Sequence, residues 1–329
     1  MGGNLSDPID AVVTWVDGSD ERHAVKMALE LRKRNVLALG NFPGGHGRER
    51  YADSNEIKYC LYGIRRFMPW IRKIYLVTDC QVPEFLGNDE MGELGIELVD
   101  HQVVFRGYEW ALPNFNSISI GTVLHRIPGL AGRYIYFNDD VIPVGASDPS
   151  DFFVEDQVVI RGGWAACQKY GKVRTLLSAV VLKGLAIVSK KVRSPHSLAQ
   201  MRAARIVGFE DKYFHALHAP HAVRTETLRM FFKEKETLMR ENIRHKFRHI
   251  DQFVAHPLAH HLEIAQGGQV ERDGSDCTTI NFGMRGGKEI GLLEREGLKF
   301  VCLQGLESAG DEDRLSVVSF LERKIFDGK

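Results

Sequence analysis

Two adjacent carboxylates, Asp139 and Asp140, follow an apolar run from Tyr134 to Phe137 and a single asparagine, Asn138. Carboxylates that leave a buried strand need a counter-charge, because an unpaired buried charge is costly. Mg²⁺ or Mn²⁺ is one natural counter-charge, since carboxylates and substrate phosphates hold such hard cations together. The alternative interpretation is a solvated turn in which an aspartate caps the next element. The tripeptide alone leaves both interpretations open.

A second junction of this kind lies near the start of the sequence. A β-branched run ends at Trp15 and Val16 and is followed by Asp17 and Gly18. In a ligand site, the indole ring and the carboxylate would lie near a nucleotide base and its ribose. In a structural interpretation, Trp15 belongs to the core and Asp17-Gly18 forms a tight turn. Both junctions place a carboxylate where a predicted strand ends.

Candidate base and phosphate-binding groups occur further along the chain. His218-Ala219-Pro220-His221 places two imidazoles in a loop stiffened by proline, and histidine is the usual general base near neutral pH. The basic cluster from Arg244 to His249 contains Arg248, whose guanidinium can bind phosphate oxygens at two points. Alternatively, this cluster is the basic end of a helix, which the helix dipole favours.

The elements that must position these groups alternate between strand and helix patterns. Apolar, β-branched runs predict strands at residues 11–16, 74–78, 96–99, 134–137, 278–282 and 299–303. Helical spacing predicts helices at residues 21–38, 53–67, 117–126, 227–246 and 314–325. This alternation indicates an α/β fold with a mostly parallel sheet. Ligands of such sheets bind beyond the carboxyl ends of the strands, where Asp17 and the Asp139–Asp140 pair both fall.

Histidine and arginine become dense after about residue 194, which suggests a change of structural unit. We predict an α/β nucleotide-sugar-binding catalytic domain over residues 1–194. A helical insertion over residues 195–270 would carry His221 and Arg248. Residues 271–329 would return to the α/β domain and end in a closing helix.

Composition restricts the function classes. The 329 residues contain 43 Lys+Arg and 43 Asp+Glu, so the overall charge gives no reason to expect a nucleic-acid partner. Five widely spaced cysteines without a CxxC motif suggest neither a zinc knuckle nor a disulfide framework. No signal peptide and no transmembrane span is predicted. We therefore expect a cytoplasmic protein, at most peripheral to the membrane, and leave a homo-oligomer open.

Four blocks, taken in order, resemble the Stealth family of hexose 1-phosphate transferases. The first, Ile9 to Asp20, is similar to the family's opening "ID-V-TWVDGSD", and the second runs from Arg50 to Phe153. The third comprises His218-Ala219-Pro220-His221 and Phe247-Arg248. In the fourth, Cys302-Leu303-Gln304-Gly305 stands where the family has Cys-x-Asn-Asp. The expected carboxylate is absent there, and Glu307 is the candidate replacement.

This resemblance implies a glycosyltransferase-A-like, Rossmann-like fold with a helical insertion. It implies transfer of a hexose 1-phosphate, with N-acetylhexosamine 1-phosphate as the expected group, from a UDP-sugar to a sugar hydroxyl of a saccharide acceptor. UMP would be released, and the pathway would be bacterial capsule or cell-surface polysaccharide synthesis. An ordinary glycosyltransferase, a non-catalytic polysaccharide-binding homologue and a nucleotide-sugar hydrolase stay open as alternatives.

The resemblance also assigns roles to residues. Asp139 and Asp140 become the catalytic and metal-binding carboxylates for Mg²⁺ or Mn²⁺, and His221 becomes the catalytic base. The substrate-binding residues that it implies are Trp15, Asp17, Gly18, Arg50, Asp53, Glu56, Asn116, Asn138 and Arg248. For Asp53 and Glu56, a helix capping box is an equally direct explanation.

Overall fold

A computed structural model describes residues 7–33, 55–167, 195–282 and 289–327 of the chain. The strands in these ranges are β1 (Ile9–Thr14), β2 (Ile74–Thr78), β3 (Ile96–Asp100), β4 (Arg133–Asn138), β5 (Val141–Pro143), β6 (Phe153–Val154), β7 (Gln157–Ala166), β8 (Lys212–Ala216), β9 (His221–Arg224), β10 (Gln269–Arg272), β11 (Cys277–Asn281) and β12 (Phe300–Gln304). The α-helices are α1 (Glu21–Lys33), α2 (Glu56–Phe67), α3 (Asn88–Leu94), α4 (His101–Val104), α5 (Ser117–Val123), α6 (Pro195–Val207), α7 (Thr225–Glu234), α8 (Glu236–Ile243), α9 (Ala255–Gln266) and α10 (Asp311–Ile325). Arg50 and Asp53 lie outside the described residues, so the roles predicted for them stay predictions.

The central sheet has the strand order β3-β2-β1-β4-β9. Strands β1 to β4 run parallel to one another, and β9 is antiparallel to β4. The order β3-β2-β1-β4 is that of a Rossmann-like, doubly wound sheet. The predicted α/β class with a mostly parallel sheet is therefore confirmed.

Apolar layers cover both faces of this sheet. In β1, Ala11 and Val13 belong to one layer and Val12 to the other, and all three side chains are fully buried. Successive side chains of a strand point to opposite faces. A strand covered on both sides therefore needs an uninterrupted apolar run, which is the pattern that identified β1 in the sequence.

Two smaller sheets continue the fold beyond the carboxyl end of β4. Strand β5, which begins directly after Asp140, pairs with β12, and β12 pairs with β11. Strand β7 pairs with β6, β8 and β10. The last part of the chain thus returns to the region beside the carboxylate pair, and β11 and β12 form where the sequence predicted strands.

Residues 195–270 are less helical than expected. They contain α6 to α9, but also β8 and β9, and β9 is the last strand of the central sheet. His221 is the first residue of β9 and lies opposite Tyr136 of β4. His221 is therefore part of the sheet, not of a separate helical unit. The predicted domain boundaries themselves stay predictions.

The long charged helix expected at 227–246 is divided into α7 and α8 at Lys235. The backbone of Lys235, at φ −118° and ψ 43°, lies outside the helical region. Phe232 before the break and Met239 after it are both buried in the same apolar layer. The charge pattern predicted one continuous helix, but packing of α7 and α8 into the same apolar layer divides it in two.

Helix α2 does not begin as a capping box would place it. Glu56 is the first helical residue, and Asn55 is the N-cap, with φ 65° and no side-chain capping bond. In a capping box, the glutamate follows the N-cap by three positions. Glu56 therefore needs another explanation, which its position in the site described below supplies.

The described helices are short, the longest being α10 with 15 residues. A helix needs about 20 mainly apolar residues to cross a bilayer. Within the described ranges, none of the helices combines that length with that composition.

Candidate active site

A cleft of about 660 Å³ opens at the carboxyl ends of β1 and β4. Its walls also include the start of α5, the loop before β9, the start of α9 and the end of β12. This edge is where ligands of α/β sheets bind. Six of the predicted site residues line the cleft, namely Trp15, Glu56, Asn138, Asp139, Asp140 and Arg248.

Asp140 carries a carboxylate oxygen that the described structure leaves unsatisfied. Its Oδ2 accepts a hydrogen bond from Cys302 Sγ at 3.6 Å, whereas Oδ1 is buried and has no hydrogen-bond partner within the described residues. Burial raises the pKa of Asp140 to about 6, against the opposing effect of the positive charge of Arg248. A buried acceptor without a partner calls for an explanation such as a bound ion.

The two carboxylates fit a divalent cation. Asp139 lies next to Asp140 and lines the same cleft, partly exposed. Mg²⁺ is usually held by one or two carboxylates together with water and substrate phosphates. The unsatisfied Oδ1 of Asp140 and the neighbouring carboxylate of Asp139 provide that number of protein ligands.

A short hydrogen-bond chain fixes the amide of Asn138. The hydroxyl of Tyr136 donates to Asn138 Oδ1 at 2.6 Å, and Thr14 Oγ1 lies 3.1 Å from the same hydroxyl. With its oxygen accepting this bond, the amide keeps its NH₂ group as a donor. All three residues line the cleft, so Asn138 is suited to donate to an anionic ligand.

Arg248 differs from the other basic residues of its cluster in the groups that it contacts. Its Nη2 donates to Ser117 Oγ at 2.9 Å, at the start of α5. Lys246 is buried beside Glu30, with 3.3 Å between Nζ and Oε2, and Arg244 is exposed at the end of α8. Burial lowers the pKa of both His196 and His218, and the charge of Arg248 adds to this effect. Arg248 is therefore the residue of this cluster whose charge is felt inside the cleft.

The loop between β8 and β9 brings His218, not His221, to the cleft. His218 is partly exposed and lines the wall. His221 is 6% exposed, does not belong to the described cleft wall, and stacks on the ring of His256 with 3.9 Å between centroids. A general base must come within hydrogen-bond distance of the proton it takes. The geometry thus favours His218 over His221 as the base, and the role predicted for His221 stays a prediction.

Burial keeps several of the histidines at and near the cleft neutral. It lowers the pKa of His218, and the nearby His215 and Arg248 lower it further. It also lowers the pKa of His196, of His260 and, in the apolar layer beneath α7, of His125, each to about 3. Neutral imidazole has a free lone pair at one nitrogen, so His218 can accept a proton at neutral pH.

These lowered pKa values predict a stability that declines on acidification. Each such histidine binds a proton more readily in the unfolded chain, at a pKa of about 6.5, than in the fold. Stability is therefore complete above pH 6.5 and is lost as the pH falls toward 3. Fully buried His125 and His260 should each remove about 1.4 kcal/mol of unfolding free energy per pH unit below 6.5. Urea unfolding between pH 7.5 and 5 measures this slope.

A variant separates this effect from general acid denaturation. His125→Leu should make the slope shallower by about 1.4 kcal/mol per pH unit, because one titrating group is removed. A slope that is flat in the wild type, or identical in the variant, would contradict the assignment.

Trp15 and Asp17 have different roles in the structure. Trp15 lines the cleft with 4% of its surface exposed. Asp17 forms the tight turn of the alternative interpretation, since its Oδ1 accepts bonds from the backbone nitrogen and hydroxyl of Ser19, both at 2.7 Å. Of the described residues, neither Asp17 nor Gly18 lines the cleft. Their predicted substrate contacts are therefore not supported by the geometry.

Glu56 and Asn116 also differ. Glu56 is buried at the start of α2 and lines the cleft. Asn116 is fully buried and caps α5, where its side chain accepts from Ile118 N at 3.1 Å. Its Nδ2 donates to His245 O at 2.9 Å, three residues before Arg248. Asn116 thus positions the Arg248 segment and does not face the ligand space.

Glu307, the candidate replacement for the carboxylate absent from the fourth block, faces the cleft. Glu307 lines the cleft together with Gln304. The backbone nitrogen of Leu303 donates to Asp140 O at 2.9 Å, which holds this end of β12 against the carboxylate pair. Glu307 therefore lies on the wall where the absent carboxylate was expected, and its role as a replacement stays a prediction.

Four further histidines line the cleft and were not singled out from the sequence, namely His23, His101, His196 and His256. The last two contact residues already described. His196 stacks on His218 with 4.9 Å between centroids, and His256 stacks on Tyr136 at 5.3 Å. They come from α6 and α9, so no local spacing connects them. The available signal was density, since nine of the thirteen histidines lie between residues 196 and 261.

Comparison with protein-family models finds two matching regions in this chain. Residues 7–28 match Stealth protein conserved region 1, and residues 50–160 match Stealth protein conserved region 2. Conserved region 1 contains Trp15, and conserved region 2 contains Glu56 and Asn138 to Asp140. His218 and Arg248 lie outside both matched regions, and the structure places them on the cleft wall beside the residues of these regions.

Named relatives are similar to part of this chain. An exopolysaccharide phosphotransferase of Streptomyces coelicolor is 38% identical over 211 residues, which cover 59% of this chain and 21% of that protein. A capsular polysaccharide phosphotransferase of Haemophilus influenzae is 37% identical over 153 residues, covering 46% and 39%. A receptor polysaccharide phosphotransferase of Streptococcus gordonii is 36% identical over 154 residues, covering 46% and 43%. The chain thus spans less than half the length of these relatives.

Among solved structures, the apo form of mouse xyloside xylosyltransferase 1 aligns with 90% of this chain and 97% of its own. The TM-score is 0.38 and the sequence identity is 8%. So weak a likeness carries no argument about chemistry, and the fold assignment depends on the strand order of this chain itself.

Proposed function

We propose that this chain transfers a sugar 1-phosphate from a UDP-sugar to a hydroxyl of a saccharide acceptor and releases UMP. The transferred group is N-acetylhexosamine 1-phosphate, and the process is synthesis of a capsular or other cell-surface polysaccharide. The observation that carries the proposal is the convergence of Asp139, Asp140, His218 and Arg248 on one cleft. The Stealth regions and the polysaccharide phosphotransferases among the relatives support it.

The reaction exchanges one phosphorus–oxygen bond for another. The acceptor oxygen attacks the sugar-bearing phosphorus, and the bond from that phosphorus to the bridging oxygen breaks. The bridging oxygen leaves with UMP, and the proton of the acceptor hydroxyl passes to His218. The bond between the anomeric carbon and its oxygen is not broken. The product is a phosphodiester, which an ordinary glycosyltransferase does not make.

The residues of the cleft supply positioning and charge, which dominate catalysis of phosphoryl transfer. His218 accepts the proton, and a positioned general base contributes about 10²–10⁴-fold. Arg248 offers a planar guanidinium to the diphosphate oxygens. The fixed amide of Asn138 donates a further hydrogen bond. Trp15 and Glu56 line the space that remains for the nucleotide.

Asp139 and Asp140 would hold the divalent cation, Mg²⁺ or Mn²⁺. When bound, such a cation supplies positive charge to the phosphate oxygens and to the leaving group. The carboxylate of Asp140 is mostly ionised at pH 7, since its pKa is about 6.

The test is a product analysis with UDP-N-acetylglucosamine, Mg²⁺ and a panel of saccharide acceptors. We expect release of UMP only when an acceptor is present, and a phosphodiester signal in the phosphorus NMR spectrum of the product. Release of UDP would indicate an ordinary glycosyltransferase, and release of UMP without acceptor a hydrolase. Absence of any release across a panel of UDP-sugars would contradict the proposed function.

Arg248 and Arg244 offer a matched pair for the diphosphate contact. Arg248→Lys should lower kcat/KM by one to two orders of magnitude, because an ammonium cannot replace a guanidinium that binds at two points. Arg244→Lys should stay within about twofold, since this side chain is exposed at the end of α8. Steady-state kinetics at saturating Mg²⁺ measures both. Equal, small effects would make Arg248 part of a solvated basic surface.

A further inference from the structure

An exposed aromatic surface lies outside the cleft. It consists of Tyr108 and Trp110 from the segment before α5, Arg126 after α5, and Glu236 and Arg240 of α8. We call this group the Trp110 surface. The indole of Trp110 is 47% exposed, which is unusual for so large an apolar side chain.

Charged side chains hold the two rings in place. The guanidinium carbon of Arg126 lies 4.5 Å from the centroid of the Tyr108 ring. That of Arg240 lies 5.7 Å from Tyr108 and 5.3 Å from Trp110. The hydroxyl of Tyr108 donates to Glu236 Oε1 at 2.9 Å. The rings are therefore ordered before any ligand arrives, which lowers the entropic cost of binding.

Arg240 has hydrogen-bonding capacity to offer a ligand. Its side chain is 49% exposed, and its ion pair with Glu236 spans 3.7 Å, beyond normal hydrogen-bond length. Arg106 and Arg126 add positive charge beside it, whereas Glu109 and Glu236 supply the nearby negative charge. The surface as a whole is thus weakly cationic and suits an anion.

The Trp110 surface and the cleft are built on the same two chain segments. The first segment carries Trp110 and continues to Asn114 and Phe115 of the cleft wall. The second segment consists of α8 and the residues that follow it as far as Arg248.

Three hydrogen bonds join these segments between surface and cleft. Asn114 Nδ2 donates to Ile243 O at 3.3 Å, Lys246 Nζ donates to Leu112 O at 2.8 Å, and Phe115 N donates to Lys246 O at 3.0 Å. These bonds fix the position of the Trp110 surface relative to the cleft wall.

We propose that the Trp110 surface binds the acceptor polymer as a phosphodiester-linked glycan, at a subsite outside the cleft. This proposal rests on the proposed function, because sugar 1-phosphate transfer makes a polymer of that chemistry. Its sugar rings present apolar faces that pack on the exposed indole. Each link carries one negative charge, which Arg240 and its neighbours attract. A neutral glycan would offer only the first contact, and polyphosphate only the second.

The test measures binding in the absence of UDP-sugar, so that no turnover occurs. The probe is a synthetic oligomer of N-acetylglucosamine 1-phosphate units joined by phosphodiesters. A chitooligosaccharide of equal length and inorganic polyphosphate are the neutral and the sugar-free probes. Calorimetry should show binding of the phosphodiester oligomer and at least tenfold weaker binding of the other two.

Trp164 provides a matched control, since its indole is also exposed, at 36%, but lies on β7. Trp110→Ala should weaken binding of the oligomer about tenfold or more, as loss of a tryptophan contact commonly does. Arg240→Gln should weaken it and reduce its salt dependence. Trp164→Ala should stay within twofold. Circular dichroism checks that all variants are folded.

Several outcomes would overturn the proposal. These are no binding of the oligomer to the wild type, equal binding by the Trp110 variant, and equal losses in both tryptophan variants. Self-association of the wild type that Trp110→Ala abolishes, with glycan binding intact, would assign the surface to a protein contact.

A transfer assay separates this proposal from the proposed function. With a single-sugar acceptor, Trp110→Ala should release UMP at the wild-type rate, and with a long acceptor its KM should rise. If the protein binds the glycan but transfers nothing, the proposal for the Trp110 surface holds and the proposed function is wrong. If the Trp110 variant transfers with an unchanged KM for long acceptors, the proposed function holds and the proposal for the Trp110 surface is wrong.

Discussion

Asp140→Asn is expected to reduce sugar-phosphate transfer by about 10³-fold or more, the scale of losing a preorganised electrostatic group at a reaction centre. The substitution removes the charge of the carboxylate whose Oδ1 is buried without a partner in the described chain. It keeps the volume of the side chain and an oxygen that can accept from Cys302 Sγ. The measurement is UMP release over an Mg²⁺ titration.

The same variant should not be destabilised. The fold raises the pKa of Asp140 to about 6 through burial, which means that it disfavours the charged form at pH 7. Removing that charge should therefore keep or increase the melting temperature, as is common where function costs stability. Asp156→Asn, which changes a carboxylate that is 51% exposed, is the control and should retain activity. Near wild-type turnover of Asp140→Asn at any Mg²⁺ concentration would remove Asp140 from the mechanism.

His218→Ala is expected to lower kcat by about 10²–10⁴-fold, the usual contribution of a general base. KM for the UDP-sugar should change little, because the base acts mainly in the transition state. The physical reason is position, since His218 lines the cleft and burial keeps it neutral at pH 7. Single-turnover kinetics with saturating donor measures this loss without a contribution from product release.

His221→Ala is the informative comparison. His221 is buried and packs on His256, so its removal leaves a cavity and should lower the unfolding free energy. Its kcat, measured below the melting transition, should fall much less than that of His218→Ala. The reverse order, with His221→Ala folded and inactive and His218→Ala active, would restore His221 as the base.

The sequence by itself determined the four parallel strands of the central sheet. Strands β1, β2 and β4 are buried on both faces, and this burial demands continuous apolar runs that local pattern analysis detects. For β2, the predicted range of 74–78 agrees with the observed strand. The carboxyl-end rule then placed Asp139 and Asp140 at the ligand edge without any knowledge of their neighbours. The Stealth resemblance likewise depended on contiguous residues.

Only the tertiary structure determined which side chains from distant segments face the cleft. His218 and His221 are three positions apart and belong to one motif, yet the loop directs one ring to the cleft and β9 directs the other to α9. The pairing of β9 with β4 determines which of the two histidines faces the ligand. Because these strands are far apart in the chain, their pairing leaves no pattern in the local sequence. The same holds for Asn116, which the sequence grouped with the ligand contacts but which holds the Arg248 segment in place.

The sequence also could not show which atoms form hydrogen bonds within the site. Asp17 resembles a ligand residue by its place after a strand, but the bonds from Ser19 make it a turn residue. Asp140 looked identical to Asp139, and only the packing of Cys302 and β12 against it shows the unsatisfied oxygen. A strand can be predicted from the pattern of apolar side chains along it, which is a property of neighbouring residues. The character of a site follows from which surfaces are brought together, and in this protein those surfaces are separated by about a hundred residues of chain.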